Sequence, residues 1–287
     1  MTPPDTRASL PPPWPVDAAV LAAWEAARPA VTVERRRDGV RLPGRIRFLV
    51  PADLEALHAL HRAVLAALPD PGVFRADSRA FMERHLVREG RTVGTFLGST
   101  LVGYAVVRYP LEADDSLGPE AGVPAAERAR VAHYDGAAVH PAYRGNHLHR
   151  AMNGIRGRHA GLAGFHHLTG TVSPLNPYSL RNHLLAGFRV VAYSHKYGGH
   201  ERLIIHRDFR ARPRPADTAR AHPCPLADTA AQRALLADGW LGFATAQAAD
   251  GTDYVWYLPR DAFRAEAVHG TGRELAEEAF PPLGPPA

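Results

Sequence analysis

Residues 131–148 read VAHYDGAAVHPAYRGNHL, and this stretch decides the fold. Its apolar run is followed by a turn at Pro141–Gly145 and then by helical spacing from Leu148. A strand that leads through a glycine-containing turn into a helix leaves free N–H groups at the helix N-terminus, where phosphate groups bind. We therefore predict a strand over Ala129–Val139, a helix over Leu148–Gly161 and an anion-binding turn between them.

The pattern of strands and helices continues on both sides of this stretch. Helical spacing predicts helices over Asp53–Leu68, Ser78–Arg88 and Pro177–Leu185. Apolar and alternating runs predict strands at Ile46–Val50, Arg91–Leu97, Leu101–Tyr109, His167–Val172, Arg189–Tyr197 and Arg202–His206. Hairpins combined with a strand–turn–helix unit indicate the α/β (α+β) class, with a mixed, mostly antiparallel twisted sheet flanked by helices.

Composition divides the chain into three zones. Residues 1–43 are Pro-rich and contain one amphipathic stretch, Val16–Ala27, which predicts a helix. Residues 44–210 carry the sheet pattern and form the predicted central domain. Residues 211–287 open with the run Arg-Pro-Arg-Pro-Ala, a predicted linker because proline disfavours regular structure. A small C-terminal extension follows, with a helix and a hairpin across Asp250-Gly251.

The overall composition excludes several classes of protein. Of the 287 residues, 46% are hydrophobic, which is enough for a sizeable core and too many for general disorder. No stretch approaches ~18 uninterrupted apolar residues and no export signal is seen, so we expect no membrane partner. The single cysteine, Cys224, is typical of a reducing compartment, so we expect a cytoplasmic protein. The net charge of +5 permits an anionic partner without requiring one.

Two further motifs follow the first at regular distances. Residues 173–182 read SPLNPYSLRN and are closed by AGF at 186–188, and residues 196–202 read KYGGHER. With VHPAYRGN at 139–146, these motifs resemble the GCN5-related N-acetyltransferase (GNAT) superfamily, and the last resembles a bacterial subgroup with a YGG-x-x-R ending. The resemblance covers residues 45–209. It implies a GNAT-like fold with N- and C-terminal extensions, and an acyltransferase that uses acetyl-CoA or another acyl-CoA as donor.

The resemblance also assigns residues to the donor. It implies that the backbone N–H of Val139 polarises the thioester carbonyl, as an oxyanion hole does. It implies that Asn176 contacts the donor arm or orders its turn. The residues assigned to donor binding in this way are Ala138, Val139, Arg144, Gly145, Asn146, His147, Leu148, Asn176 and Ser179.

The sequence departs from the family pattern where small residues are expected, at His147 and His149. Three interpretations stay open. The turn accepts both imidazoles and still binds coenzyme A, or the pyrophosphate pocket is closed and the donor is different. The third is zinc binding by the His-x-His pair; no Cys/Asp cluster stands at ligand spacing, so we expect no metal.

Acyl transfer to an amine needs a base for the amine and a proton donor for the leaving group. Alternation along the predicted strand places His133 and Asp135 on one side and Tyr134 on the other, so either of the first two is a candidate base. Where family members carry a tyrosine acid, seven residues after the motif asparagine, this sequence has His183. An imidazole of ordinary pKa, ~6.5, donates a proton at neutral pH. Tyr178 is the alternative acid.

The first predicted function is N-acylation of a small-molecule amine, in specialised metabolism or detoxification. A second keeps the fold and takes an aminoacyl-tRNA as donor, which the Arg-rich segment 202–220 favours. A third is a catalytically silent module that binds an acyl-CoA or another metabolite. The acidic residues Glu112, Asp114 and Asp115 are an alternative binding site for a cationic substrate. The C-terminal zone is expected either to cap the substrate cleft or to form a homodimer contact.

Overall fold

The structure, a computed structural model, describes residues 18–109 and 116–267. The helices of these residues are α1 (Ala18–Ala26), α2 (Leu54–Ala66), α3 (Arg79–Val87), α4 (Leu148–Leu162), α5 (Pro177–Leu185) and α6 (Thr229–Ala237). The strands are β1 (Ala30–Glu34), β2 (Arg41–Phe48), β3 (Gly90–Leu97), β4 (Thr100–Arg108), β5 (Val131–Val139), β6 (His167–Val172), β7 (Arg189–Lys196), β8 (His200–Asp208), β9 (Ala211–Pro215), β10 (His222–Pro225), β11 (Trp240–Gln247), β12 (Asp253–Pro259) and β13 (Phe263–Ala267).

Within the described residues, eleven strands form one sheet in the order β1-β2-β3-β4-β5-β6-β8-β7-β11-β12-β10. The β5–β6 pair is parallel, and the other neighbouring pairs of this sheet are antiparallel. β9 and β13 form a separate two-stranded sheet. The structure therefore confirms the predicted class, a mixed and mostly antiparallel sheet flanked by helices.

Helices cover both faces of the sheet. On one face, α2 and α3 pack against β4, and Leu57, Met82 and Tyr104 share a hydrophobic cluster. On the other face, α4 packs against the same strand, with Met152 beside Val102. Because side chains alternate along a strand, β4 contributes to both clusters. In the described part of the chain, no helix combines the length and apolar character needed to cross a membrane.

The segments on either side of the predicted central domain add strands. In the N-terminal zone, the predicted helix is α1, and β1 pairs with β2 beyond it. The predicted linker is instead strand β9, because β13 provides a hydrogen-bonding partner that the local sequence does not reveal. The predicted C-terminal hairpin is confirmed as β11–β12. Residues 1–17 and 268–287, the outer parts of the two predicted extensions, lie outside the described residues.

β11 reaches β7 because Gly242 has no side chain. Gly242 pairs with Val190, and a Cβ at residue 242 would lie 2.8 Å from the Cβ of Val190, closer than side chains pack. Val190 shares one hydrophobic cluster with Ile205 and with Val255 and Tyr257 of β12. The C-terminal segment and the central zone therefore share one core.

Candidate active site

The sheet splits at the centre of the candidate site. β5 and β6 pair as far as Tyr134 and Gly170. Beyond this point β5 continues along β4, whereas β6 continues along β8. Asp135 and Gly136 bulge out of the β4 register opposite Val106. The diverging strands therefore leave a gap beside the second half of β5.

A backbone N–H of β5 points into this gap. The N–H of His140 donates to the carbonyl of Val102 on β4, at 2.9 Å. Successive N–H groups of a strand point to opposite edges, so the N–H of Val139 points away from β4 and towards the edge that β6 has left. A preorganised N–H in such a position can stabilise negative charge on a substrate carbonyl oxygen.

The gap opens into a cavity that several parts of the fold line. Its lining includes Asp135, Gly136 and Ala137 of β5, Thr171 and Val172 of β6, His149 and Arg156 of α4, Asn176, Ser179 and His183 around α5, Phe74, Arg75 and Asp77 before α3, and Tyr197 and Arg202 of the β7–β8 hairpin. Four residues predicted from the sequence meet here, namely Asp135, Asn176, Ser179 and His183.

The turn between β5 and α4 ends in left-handed backbone and an uncapped helix N-terminus. Gly145 (φ 91°) and His147 (φ 55°) adopt left-handed conformations, and no side chain caps the N-terminus of α4. The side chain of Asn146 accepts from the N–H of Glu34, at 2.6 Å, and donates to its carbonyl, at 2.7 Å. Asn146 therefore ties the turn to β1, while the uncapped N–H groups of α4 fit a pyrophosphate.

The remaining residues predicted to bind the donor from this region have structural contacts. Ala138 and Leu148 are buried in hydrophobic clusters on opposite faces of β4. Arg144 donates from Nε to the carbonyl of Val139, at 3.3 Å. Among the lining residues of the cavity, none of these three side chains appears. A phosphate at this turn would therefore be bound by backbone N–H groups and not by these side chains.

The two histidines at the unusual positions of the turn have different surroundings. His147 is exposed, whereas His149 lines the cavity with its ring edge-on to His183, at 5.2 Å between centroids. The amide nitrogen of Asn182 lies 3.2 Å from Nδ1 of His149. Burial, His183 and Arg156 together keep the pKa of His149 well below its usual value. His149 is therefore a neutral side chain that connects α4 to α5.

The start of α5 faces the cavity through its capping residue. Asn176 accepts from the N–H of Ser179 through Oδ1, at 3.0 Å, and so caps the helix. Pro177 occupies the first helical position, where its missing N–H costs nothing. Tyr178, predicted as an alternative acid, is 79% exposed and is not among the cavity's described lining residues. The geometry therefore does not support Tyr178 as an acid at this site.

The prediction for His183 assumes an ordinary pKa, and this assumption is wrong. His183 is buried, and burial together with Arg156 lowers its pKa to about 3. Its Nδ1 lies 2.8 Å from the carbonyl of Ser179, so Nδ1 carries a hydrogen and donates it. A neutral imidazole at pH 7 does not supply the imidazolium proton that the prediction required.

Asp77 lines the cavity and is not among the catalytic residues predicted from the sequence. Its side chain is 5% exposed and pairs with Arg75, at 3.2 Å between Oδ1 and Nε. Oδ2 lies so close to Gly136 that a Cβ at residue 136 would be 2.8 Å away. The N–H of Asp77 donates to Nε2 of His61, whose Nδ1 lies 2.7 Å from the hydroxyl of Tyr104. Asp77 is therefore held against the bulge of β5.

The environment of Asp77 suits a base. Burial raises the pKa of its carboxyl to about 6, against the opposing charge of Arg75. A base is most effective when its pKa lies near the working pH. In the sequence, Asp77 directly precedes Ser78, the N-cap of α3, so it reads as an ordinary helix-start residue and no local signal distinguishes it.

The two predicted strand bases are engaged with Arg108. Its Nε donates to Oδ2 of Asp135, at 2.6 Å, and its Nη2 lies 2.6 Å from Nδ1 of His133. Burial alone would raise the pKa of Asp135, but Arg108 and His133 hold it below the usual value. His133 is 1% exposed, and its Nε2 lies 3.2 Å from the backbone nitrogen of Leu117. The predicted alternation is confirmed, but a strongly paired carboxylate is a weaker base than Asp77.

The Arg-rich segment 202–220 has contacts within the protein. Arg210 pairs with Asp208 and Glu127, Arg220 pairs with Asp261, and Arg207 donates to the carbonyl of Ala186. The carboxylates partly offset the charges of Arg210 and Arg220, whereas Arg207 donates to a neutral carbonyl and keeps its charge.

The acidic residues predicted as an alternative site, Glu112, Asp114 and Asp115, lie outside the described residues.

Comparison with known proteins gave similarities among solved structures. No protein-family model and no curated protein matches the chain. The GNAT domain of S. lividans PAT is 17% identical over 65% of this chain and 98% of its own, with a TM-score of 0.44. A GNAT-family acetyltransferase from Streptococcus pneumoniae is 15% identical over 57% and 98%, with a TM-score of 0.43. The ribosomal-protein-S18-alanine N-acetyltransferase of Escherichia coli is 16% identical over 57% and 93%, with a TM-score of 0.42.

Proposed function

We propose that the protein is a cytoplasmic N-acyltransferase of the GNAT superfamily, of the bacterial subgroup with a YGG-x-x-R ending. It transfers an acyl group, with acetyl-CoA as the default donor, to a small-molecule amine in specialised metabolism or detoxification. One observation carries this proposal: the strands part where the N–H of Val139 faces the gap, beside a cavity that contains the carboxylate of Asp77. Such a site combines a donor for a developing oxyanion with a base for an amine.

The geometry gives each group a role in the transfer. The uncapped N-terminus of α4 would hold the donor's pyrophosphate, and the N–H of Val139 would donate to the thioester oxygen. Asp77 would accept the proton that the amine loses as its nitrogen bonds the carbonyl carbon. The carbon–sulfur bond breaks, and the thiolate takes a proton from solvent. Asp135 stays paired with Arg108 beside the bulge and keeps the strand in this shape.

Thiol release tests the proposal directly. The purified protein is incubated with acetyl-CoA and a panel of small amines, and free coenzyme A is measured with a thiol reagent. Acetyl-CoA binding is measured in parallel by calorimetry. We expect amine-dependent thiol release, and we expect Asp77→Asn to retain acetyl-CoA binding while losing at least ~100-fold in turnover.

The same assay distinguishes the alternatives. Stoichiometric acetyl-CoA binding without turnover of any amine would identify a silent binding module. No binding of acetyl-CoA at millimolar concentration, together with salt-sensitive binding of charged tRNA, would instead identify an aminoacyl-tRNA-dependent enzyme.

A further inference from the structure

The β7–β8 hairpin places a tyrosine on the wall of the cavity. Tyr197 has a left-handed backbone (φ 55°), and Gly198 and Gly199 continue the turn with φ of 85° and 101°. A left-handed backbone is unfavourable for a bulky residue such as tyrosine. The hydroxyl of Tyr197 lies 3.2 Å from Oγ1 of Thr171 on β6. The hairpin therefore directs this ring back towards the point where the strands part.

Arg202 lies on the same wall and is only 4% exposed. Its Nη1 donates to the carbonyl of Glu201, at 2.8 Å, and its guanidinium lies 5.6 Å from the ring centroid of Tyr197. Burial lowers the pKa of Arg202, although a guanidinium keeps its proton in proteins. No carboxylate of the described residues forms an ion pair with it. A buried positive charge of this kind lacks the partner that it requires.

The other charges around the cavity leave an excess of positive charge. Arg75 is balanced by Asp77 and Asp135 by Arg108. Arg156 donates to two backbone carbonyls instead of a carboxylate. Over the part of the chain that the structure describes, the lining therefore contains two arginines, Arg156 and Arg202, without an acidic partner. Arg156 is occupied at the bulge, so Arg202 is the one suited to a ligand.

The positive site and the base lie along one wall. The guanidinium of Arg75, paired with Asp77, lies 4.9 Å from the ring centroid of Tyr197, and Arg202 contacts the same ring. The order along the wall is therefore carboxylate, arginine, tyrosine, arginine. A molecule that has an amine at one end and an anionic group at the other matches this order in charge.

We propose that the acceptor is an amine that carries an anionic oxyacid group at its other end, as an ω-amino acid does, and that Arg202 binds this group. This inference rests on the proposed acyl transfer. The planar guanidinium offers two parallel N–H donors to a carboxylate or a phosphonate. The amine end is then directed towards Asp77. This role also explains the spacing of Tyr197 and Arg202 in the YGG-x-x-R ending. The two glycines form the turn that brings the tyrosine ring and the guanidinium together.

Matched compounds test the inference. Thiol release from acetyl-CoA is measured with 6-aminohexanoate, with its phosphonate analogue, and with hexylamine, which lacks the acid. A parallel series compares 4-aminobutyrate with butylamine. We expect the acidic member of a series to have a kcat/KM roughly 100-fold above that of the plain amine. The aminophosphonate shows whether Arg202 prefers a planar or a tetrahedral anion.

Variants of Arg202 test whether its guanidinium causes the preference for acidic acceptors. Arg202→Met should raise the KM of the acidic acceptor and so remove the preference for the acid. The KM for acetyl-CoA should not change. Arg202→Lys, which keeps the positive charge, should retain part of the preference. Arg233→Gln is the matched control, because Arg233 also stacks on a tyrosine, Tyr193, but on the outside of the protein. It should keep the wild-type preference.

The outcomes separate this inference from the proposed function. Turnover of amines without preference for the acid, or equal losses for both members in Arg202→Met, would overturn the anion site and leave acyl transfer intact. If no amine is turned over, calorimetry with the acidic compounds decides the matter. Binding that Arg202→Lys weakens and Arg202→Met abolishes would support the anion site, and no binding would overturn it.

Discussion

Replacing Asp77 by asparagine should make the protein more stable and less active. The carboxyl has a pKa of about 6 in the fold against ~3.8 in an unfolded chain. The folded state therefore holds the proton more tightly, so stability falls as the pH rises from about 4 to about 6. In full, the ionised carboxylate costs about 3 kcal/mol, and roughly half of this cost falls between pH 5 and pH 8.

The measurement is the free energy of unfolding in urea at several pH values, for the wild type and for Asp77→Asn. The difference between their free energies of unfolding should shift in favour of the variant by ~1–2 kcal/mol from pH 5 to pH 8. Losses that do not depend on pH cancel in this comparison, and the attraction of Arg75 is already included in the pKa of Asp77. Thiol release by the wild type should rise with pH with a midpoint near 6, and the variant should lack this rise.

Asp53→Asn is a control, because the stability contributed by Asp53 should change with pH in the opposite direction. Asp53 accepts from Arg47 in a bidentate pair, and this pairing lowers the pKa of its carboxyl. A lowered pKa contributes stability that is present at neutral pH and is lost on acidification. Asp53→Asn should therefore lose stability at pH 8 and keep its activity. A stability difference for Asp77→Asn that does not change with pH, or that changes in the direction expected for Asp53→Asn, would refute the reasoning.

Three further outcomes are expected. Gly242→Ala should lower the free energy of unfolding by ~1–3 kcal/mol, because its Cβ would collide with Val190; an unchanged urea midpoint would contradict this. Asn176→Ala should cost ~1 kcal/mol by uncapping the N–H of Ser179, with Asn176→Asp as a control that keeps the cap. Because the pKa of His183 is about 3, its NMR signals should not titrate between pH 5 and pH 8, and a transition near 6.5 would show a solvated ring.

Local patterns in the sequence predict the central elements well. Helical spacing locates α2 and α5, and the strand–turn–helix pattern locates β5 and α4, because each carries its own periodicity and turn residues. β1, β9, β10 and β13 are not predicted. They are short, and β9 and β10 contain prolines, so pairing is what orders them. β9 pairs with β13 and β10 with β12 across long sequence separations, and β1 pairs with its neighbour β2.

The site is less predictable than the fold because its charged groups interact with residues that are distant in the sequence. Asp135 is found from strand alternation, but its pairing with Arg108 depends on the β4–β5 register. His183 is found by its spacing from Asn176, but its low pKa depends on burial beside Arg156. Asp77 becomes a candidate base only because the fold places it against Gly136.

The shared core across Gly242 has a practical consequence for the minimal working protein. A fragment that ends at residue 210 would lose β11, β12 and β10 and would expose the full edge of β7. Phe188, Val190 and Leu203 would also lose their cover from Val255 and Tyr257. An open, apolar strand edge recruits strands of other chains. Shortening the protein to the region that carries the family motifs would therefore produce an aggregating fragment in place of a smaller enzyme.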